Sequence, residues 1–394
     1  MTTTIIGAGL AGLAAACTLA EAGEHVILHE SAKSAGGRAR SYFDAHLDCR
    51  IDNGNHLLLS GNTAAMAFLK RIGAENTLTG PKTPDFPFVD VQTAKHWTLR
   101  INPGRLPWWI VSAARRVPHT RAADYLALLK LKTAKPTDLV HDLIGHTGAL
   151  YKNLLEPLAI AALNTMPEIA SAAPLKTVIA ETIERGGAAS IPRFPAIGLS
   201  ESFVDPALKY LADKGADIRF NSRVTAIEPN QKTILAVPPW IAQEFLRGLA
   251  VPDAFEAIAN LHFLHRLTPN EAGFWGLIGG TAEWVFTKGD ILSVTISAAN
   301  RVADIPNEDL AAAVWSDLAT AFGLPAAIPK YRVVREKRAT FAATPAQLAK
   351  RPKTRTADPM VMLAGDWTDT GLPATIEGAI RSGNAAALAI LKKN

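Results

Sequence analysis

The stretch from Thr2 to Glu30 constrains the fold of this chain more than any other. The β-branched run Thr2–Ile6 predicts a strand, and Gly7-Ala8-Gly9-Leu10-Ala11-Gly12 follows it at G-x-G-x-x-G spacing. An Ala-rich segment then predicts a helix to about Glu21, with Gly23 as its C-terminal stop. His25–His29 predicts a second strand, and Glu30 comes directly after it. Strand, glycine turn, helix and strand in this order specify a parallel βαβ unit. Gly7 allows the tight turn, Gly9 lets a pyrophosphate approach the backbone, and Gly12 lets helix and strand pack closely. The N–H groups of the first helical turn, those of Leu10 and Ala11 among them, lack acceptors within the helix and offer them to phosphate. Glu30, 18 residues after Gly12, stands where an acid accepts from ribose hydroxyls. The prediction is an α/β fold with a Rossmann-like dinucleotide-binding domain.

Composition narrows the class. With 394 residues, 48% of them hydrophobic, the chain has material for two or three domains. No apolar run reaches the roughly 18 uncharged residues of a membrane span. Thr4–Ala20 is apolar but has no basic segment before it and carries glycines at motif spacing, so a signal peptide is not expected. Cys17 and Cys49 are too few for a disulfide framework and have no metal-ligand spacing, which makes the cytoplasm the expected compartment and a metal site unexpected. The net charge of +5 is unevenly spread: residues 100–135 and 330–355 together carry +15, so the remainder carries −10. No nucleic-acid recognition motif accompanies the basic stretches.

Two further stretches decide the cofactor. After Glu30 comes Ser34-Ala35-Gly36-Gly37-Arg38-Ala39-Arg40, and near the C-terminus stands "LAGDWTDTGLPATIEGAIRSG" from Leu363. An acid followed by Gly-Gly-Arg resembles the FAD-binding start of the amine oxidase and phytoene desaturase superfamily. The resemblance implies that Arg38 meets the pyrophosphate, with Arg40 as a helper, and that Gly365-Asp366 binds the ribityl or phosphate region. A last helix beginning near Pro373 would point its N-terminus at the flavin ring, with Thr375, Ile376 and Glu377 supplying backbone groups. Between the two ends, "ADIRFNSRVTAI" reads as a strand pair or bent strand, and the resemblance places the Val224 backbone against adenine. The FAD domain is therefore expected to be discontinuous, at 1–75, 196–250 and 346–394. A second, α+β substrate domain would take 76–195 and 251–345.

The stretches "IDNGNHLLLSGNTAAMAFLKRIGA", "EPLAIAALNTMPEIASA", "EWVFTKG" and "VREKRATFAATPAQLAKRP", together with the C-terminal one, resemble the squalene-associated FAD-dependent desaturases, the hydroxysqualene dehydroxylase family, over nearly the whole chain. Asn55 departs from the Gln that relatives commonly carry. The resemblance implies reduction of hydroxysqualene to squalene by reduced FAD, in squalene and hopanoid biosynthesis, and places Asp52, Gly54, Asn55 and His56 near the isoalloxazine. Such a reaction needs an acid for the departing hydroxyl; His56 is the first candidate and Glu283 the second. The electron donor is not identifiable from the residues. A carotenoid-type desaturase and a non-enzymatic prenyl-lipid carrier are the competing readings, with an amine oxidase behind them. Finally, Trp108, Trp109, Ile110 and Val111 beside Arg105, Arg115, Arg116 and Arg121 predict a membrane-docking helix within 104–132, at the inner face of the cytoplasmic membrane.

Overall fold

A computed structural model describes residues 2–268, 270 and 272–392. Its first sheet has five parallel strands in the order Asp217–Arg219, His25–His29, Thr2–Ile6, Lys232–Leu235 and Val361–Leu363. The strands come from three separated parts of the chain. Ile5, Leu28, Ile234, Met362 and Leu363 are fully buried, as in a sheet covered on both faces.

The first helix, Leu10–Glu21, lies against the C-terminal helix, Ile376–Leu391. Its alanines are there to permit a close crossing: a Cβ on Gly383 would stand 2.1 Å from the Ala11 carbonyl oxygen. Thr18 Oγ1 donates to Asn384 Oδ1 at 2.8 Å across the same crossing. The two ends of the chain are thereby locked together.

The second sheet has seven strands in the order Tyr331–Phe341, Phe255–Leu264, Ile291–Ile296, Trp284–Lys288, Phe274–Ile278, Asp85–Asp90 and Lys95–Arg100. Neighbours are antiparallel except Phe274–Ile278 with Asp85–Asp90. Alternation sorts its central strands. Leu261, Phe263, Val294 and Ile296 pack with Leu310, Val314 and Trp315 of the helix Asn307–Phe322. Asn260, His262, Ser293 and Thr295 take the opposite face, which meets the segment Asp52–His56.

Three local expectations need correction. The residues after Arg219 form no strand: the segment to Ile227 runs irregularly, pinned by Ser222 N donating to Glu30 O at 2.9 Å. The last helix starts at Ile376 and not near Pro373; Thr375 is its N-cap, and Thr375 Oγ1 accepts from Gly378 N at 3.0 Å. The 104–132 segment is a series of short turns, Trp108–Val111, Ala122–Leu126, Ala127–Lys130 and Leu131–Thr133, in place of one helix. Trp109 and Tyr125 break the amphipathic face by packing inward against one another, ring centroids 5.3 Å apart.

Candidate active site

Three of the parallel strands end at one edge. Gly7 N donates to His29 O at 2.8 Å, Ala236 N to Ile6 O at 2.8 Å, and Ala364 N to Leu235 O at 2.9 Å. The crevice at the carboxyl ends of the strands is where such sheets bind ligands. Gly7 has φ +104°, and a Cβ there would lie 2.4 Å from Ala236 O. A Cβ on Gly12 would lie 1.9 Å from Gly7 O. Neither position tolerates a side chain. Gly9 differs: a Cβ there would meet nothing within 4 Å, so the space above it is free for a group that needs the bare backbone. Gly9 is bridged to Gly36, whose N–H donates to Ala8 O at 2.8 Å, and Gly37 lies against the Gly9 Cα. Leu13 N to Gly9 O is the first helical bond there, at 2.9 Å, which leaves the N–H groups of Leu10, Ala11 and Gly12 outside the helix ladder.

Glu30 is placed by its own bonds. Its carboxylate accepts from Ala8 N and Ala32 N, both at 2.9 Å, one on each oxygen. Val224 lies two residues past Ser222, beside the same strand end, half-buried. From the far end of the chain comes Asp366, and Arg38 Nη2 donates to both of its oxygens at 2.7 and 2.8 Å. Arg38 also donates through Nη1 to Ala339 O. The two residues assigned separately to the cofactor are thus each other's partners across the chain. Gly365 N donates to Ser382 Oγ at 2.8 Å, which ties this loop to the C-terminal helix whose N-terminus is Thr375-Ile376. Glu377 serves a different end: its carboxylate accepts from Ala64 N and Ala65 N at 3.0 and 2.8 Å, capping the helix Thr63–Arg71.

The opposing wall is built of side chains. Asp52 is buried and accepts from Lys288 Nζ, from Ser41 Oγ at 2.6 Å and from Leu199 N at 2.9 Å. Burial alone would raise its pKa; Lys288 and these donors outweigh burial and hold it below the usual carboxylate range. Beyond it a directed ladder fixes Asn55. Asn260 Nδ2 donates to Asn53 O at 3.2 Å, so its Oδ1 is the acceptor for Thr295 Oγ1 at 2.8 Å. Thr295 and Ser293 then accept from Asn55 Nδ2 at 3.1 and 2.8 Å. Ser293 Oγ also pairs with His262 Nδ1, at 2.8 Å. Gly54 is held against Asn260 in the same turn, where a Cβ would stand 3.1 Å from Nδ2.

His56 follows this turn. Burial is the main influence on it and lowers its pKa to about 4; Asp52 and Asp366 act upward, Lys288 and Arg38 downward. Members of both ion pairs act on it, and it is uncharged at neutral pH. Glu283 has its own ion-pair partner. Its carboxylate accepts from Ser297 N at 2.7 Å and pairs with Arg301, although burial, the larger influence, raises its pKa. The charges acting on Glu283 include none of those around His56. Glu283 is a partner of Arg301.

The sequence reading missed Lys288, Asn260, His262, Ser293 and Thr295. Strand alternation marks the last four as one face, but nothing local in the sequence says what that face meets. Arg351 was missed likewise.

The site belongs to a recognisable class. A family model described as flavin-containing amine oxidoreductase matches residues 10–265 and 280–391. The fold is shared with cyclohexylamine oxidase from Brevibacterium oxydans, at a TM-score of 0.72 and 18% identity over 100% of this chain and 99% of that one. The chain is a flavin-dependent oxidoreductase of this class, and its cofactor is FAD. At finer grain it is 45% identical to a hydroxysqualene dehydroxylase of Rhodopseudomonas palustris, covering 99% of this chain and 98% of the relative. It is 43% identical to that of Zymomonas mobilis, covering 98% of each. The chain belongs to the hydroxysqualene dehydroxylase family.

The residues present fit FAD. The open space over Gly9, the free N–H groups of the first helix, the Glu30 carboxylate and the capped C-terminal helix supply a place for phosphates, ribose and an anionic ring.

Proposed function

We propose that this chain reduces hydroxysqualene to squalene. The carrying observation is the identity of 42–45% to three hydroxysqualene dehydroxylases over 98–99% of the chain. When bound and reduced, FAD supplies hydride. The chain's own residues have three tasks: to hold the carbon that accepts it, to keep water from the allylic cation left by the hydroxyl, and to deliver the proton with which that hydroxyl departs as water.

His56 is the residue we assign to the proton. With a pKa of about 4 it is a strong acid in the small protonated fraction at neutral pH. Gly7, Gly9, Leu10, Ala11, Gly12, Gly36 and Gly37 bind the cofactor's pyrophosphate through backbone. Glu30 binds ribose, Val224 adenine, and Arg38, Gly365 and Asp366 the phosphate and ribityl region. Gly54 and Asn55 shape the ring side, and Thr375 and Ile376 present the helix terminus. We divide the chain into a FAD domain (1–75, 196–250, 346–394) and a substrate domain (76–195, 251–345).

The substrate is apolar, and we assign its delivery to a lipid surface. Leu106, Trp108, Val111, Leu126 and Leu129 are 51–79% exposed, among Arg105, Arg121, Lys130 and Lys132. Arg115 stacks 4.7 Å over the Trp108 ring. Aromatic and aliphatic side chains ringed by cations suit an anionic interface. No helix among the described residues is long and apolar enough to cross a membrane.

The test sets both redox directions side by side. Reduced enzyme is incubated anaerobically with hydroxysqualene, and oxidised enzyme with phytoene. Squalene from the first and no new double bond in the second is the expected result. Desaturated product from the second, with no squalene from the first, overturns the assignment.

A further inference from the structure

Arg351 is a buried cation with an unusual set of partners. It is 9% exposed, and its four hydrogen-bond acceptors are all uncharged. Nη1 donates to Leu372 O at 2.8 Å; Nη2 reaches Asp366 O at 3.2 Å, Thr370 Oγ1 at 3.2 Å and Thr368 O. Its Nε has no partner, and its guanidinium lies 4.9 Å from the Phe341 ring centroid. A charge buried against neutral acceptors is costly to a fold. What it gathers is one loop, Asp366 to Leu372, which joins the Gly365-Asp366 turn to the cap of the C-terminal helix.

Asp366 is consequently held by two arginines: Arg38 takes the carboxylate and Arg351 the backbone carbonyl. Trp367 Nε1 donates to Val237 O at 3.0 Å and Asp369 N to Pro352 O at 2.8 Å, so the loop is anchored on either side of that grip. The guanidinium fork is suited to this work. A lysine ammonium is a point donor and cannot span Leu372, Thr368 and Asp366 together.

We propose that Arg351 is a positioning residue of the FAD site: by fixing the Asp366 peptide it sets the carboxylate that meets Arg38, and its influence on FAD affinity runs through Asp366. The inference rests on the reading that Asp366 contacts the cofactor. It requires the two residues to behave as one unit toward FAD.

A double-mutant cycle tests it, with FAD dissociation constants measured on apoprotein by quenching of flavin fluorescence. Arg351→Lys keeps the buried charge and loses the fork. Arg351→Lys and Asp366→Asn are each expected to weaken FAD about tenfold, and the double variant also about tenfold, far short of the product. Melting of each apoprotein is recorded alongside; an arginine that only stabilises the fold would lower the melting temperature and leave the dissociation constant unchanged. Should Arg351→Lys fail to fold, Thr370→Val, which removes one acceptor, carries the cycle with an expected loss of about threefold. Additive losses, or unchanged affinity in the Arg351 or Thr370 variant, overturn the proposal. Unchanged affinity in Asp366→Asn overturns instead the assignment of Asp366 to the cofactor, and the Arg351 proposal with it.

Discussion

The two sheets build opposite walls of the site from different materials. At the edge of the parallel sheet the wall is backbone: Gly7 and Gly12 exclude side chains, Gly9 leaves open space, and helix termini supply N–H groups. On the antiparallel sheet the wall is side chains, Lys288, Asn260, His262, Ser293 and Thr295, wired to Asp52–Asn55 by hydrogen bonds. The difference teaches where each function resides. A pyrophosphate is the same in every relative and can be held by backbone, whereas the reacting carbon and its leaving group are particular and call for placed side chains.

Substitutions should therefore separate FAD binding from turnover. The largest effect is expected from Gly12→Ala, whose Cβ would collide with the Gly7 carbonyl at 1.9 Å. The purified variant should carry no flavin, read as loss of the absorbance band near ~450 nm characteristic of bound FAD. His56→Ala should do the reverse: full flavin content with turnover down by roughly 100-fold or more. In the unmodified enzyme, assignment of the proton to His56 predicts that kcat/KM rises about tenfold per pH unit as pH falls from 7 toward 5, since the protonated fraction of a group with a pKa of about 4 grows in that window. A flat profile would remove His56 from the role of acid.

The membrane assignment predicts an effect confined to neither wall. Trp108→Ser with Leu126→Ser should reduce sedimentation with anionic liposomes about tenfold and leave the flavin spectrum as it was. Stability gives a smaller test of the side-chain wall. His262 is 1% exposed, and burial lowers its pKa from 6.5 to about 4. The unfolded chain thus binds a proton that the folded chain refuses. Its contribution is complete above pH 6.5 and declines as pH falls toward 4, by on the order of 3 kcal/mol. Apoprotein melting temperatures should fall through that window, and His262→Gln should flatten the fall. The smallest effect belongs to Glu283→Gln, which breaks the Arg301 pair. Turnover within about twofold and a destabilisation of about 1 kcal/mol are expected.

Legibility followed the range of the forces involved. Thr2 to Glu30 can be read residue by residue because each requirement there is local and steric: a turn, a close approach, a helix start. The C-terminal Gly365-Asp366 turn was readable only through family resemblance, since its meaning depends on Arg38, 328 residues away. Pro373 misled because proline suits a first helical turn, yet Thr375 supplies the stronger local signal, a side-chain oxygen bonded to Gly378 N. The 104–132 segment misled because burial of Trp109 against Tyr125 is decided by packing that no amphipathic pattern records. Lys288 stood within a quoted stretch, but its value comes from Asp52, 236 residues earlier, which no local pattern connects to it.

The most direct test of the account is a single anaerobic turnover followed through the flavin itself. FAD-loaded enzyme is reduced stoichiometrically with dithionite, mixed with hydroxysqualene in detergent, and monitored for return of the oxidised band before extraction. The account predicts full recovery of the band with one squalene formed per flavin. Persistent reduced flavin and no squalene, in enzyme whose FAD is properly bound, would contradict it.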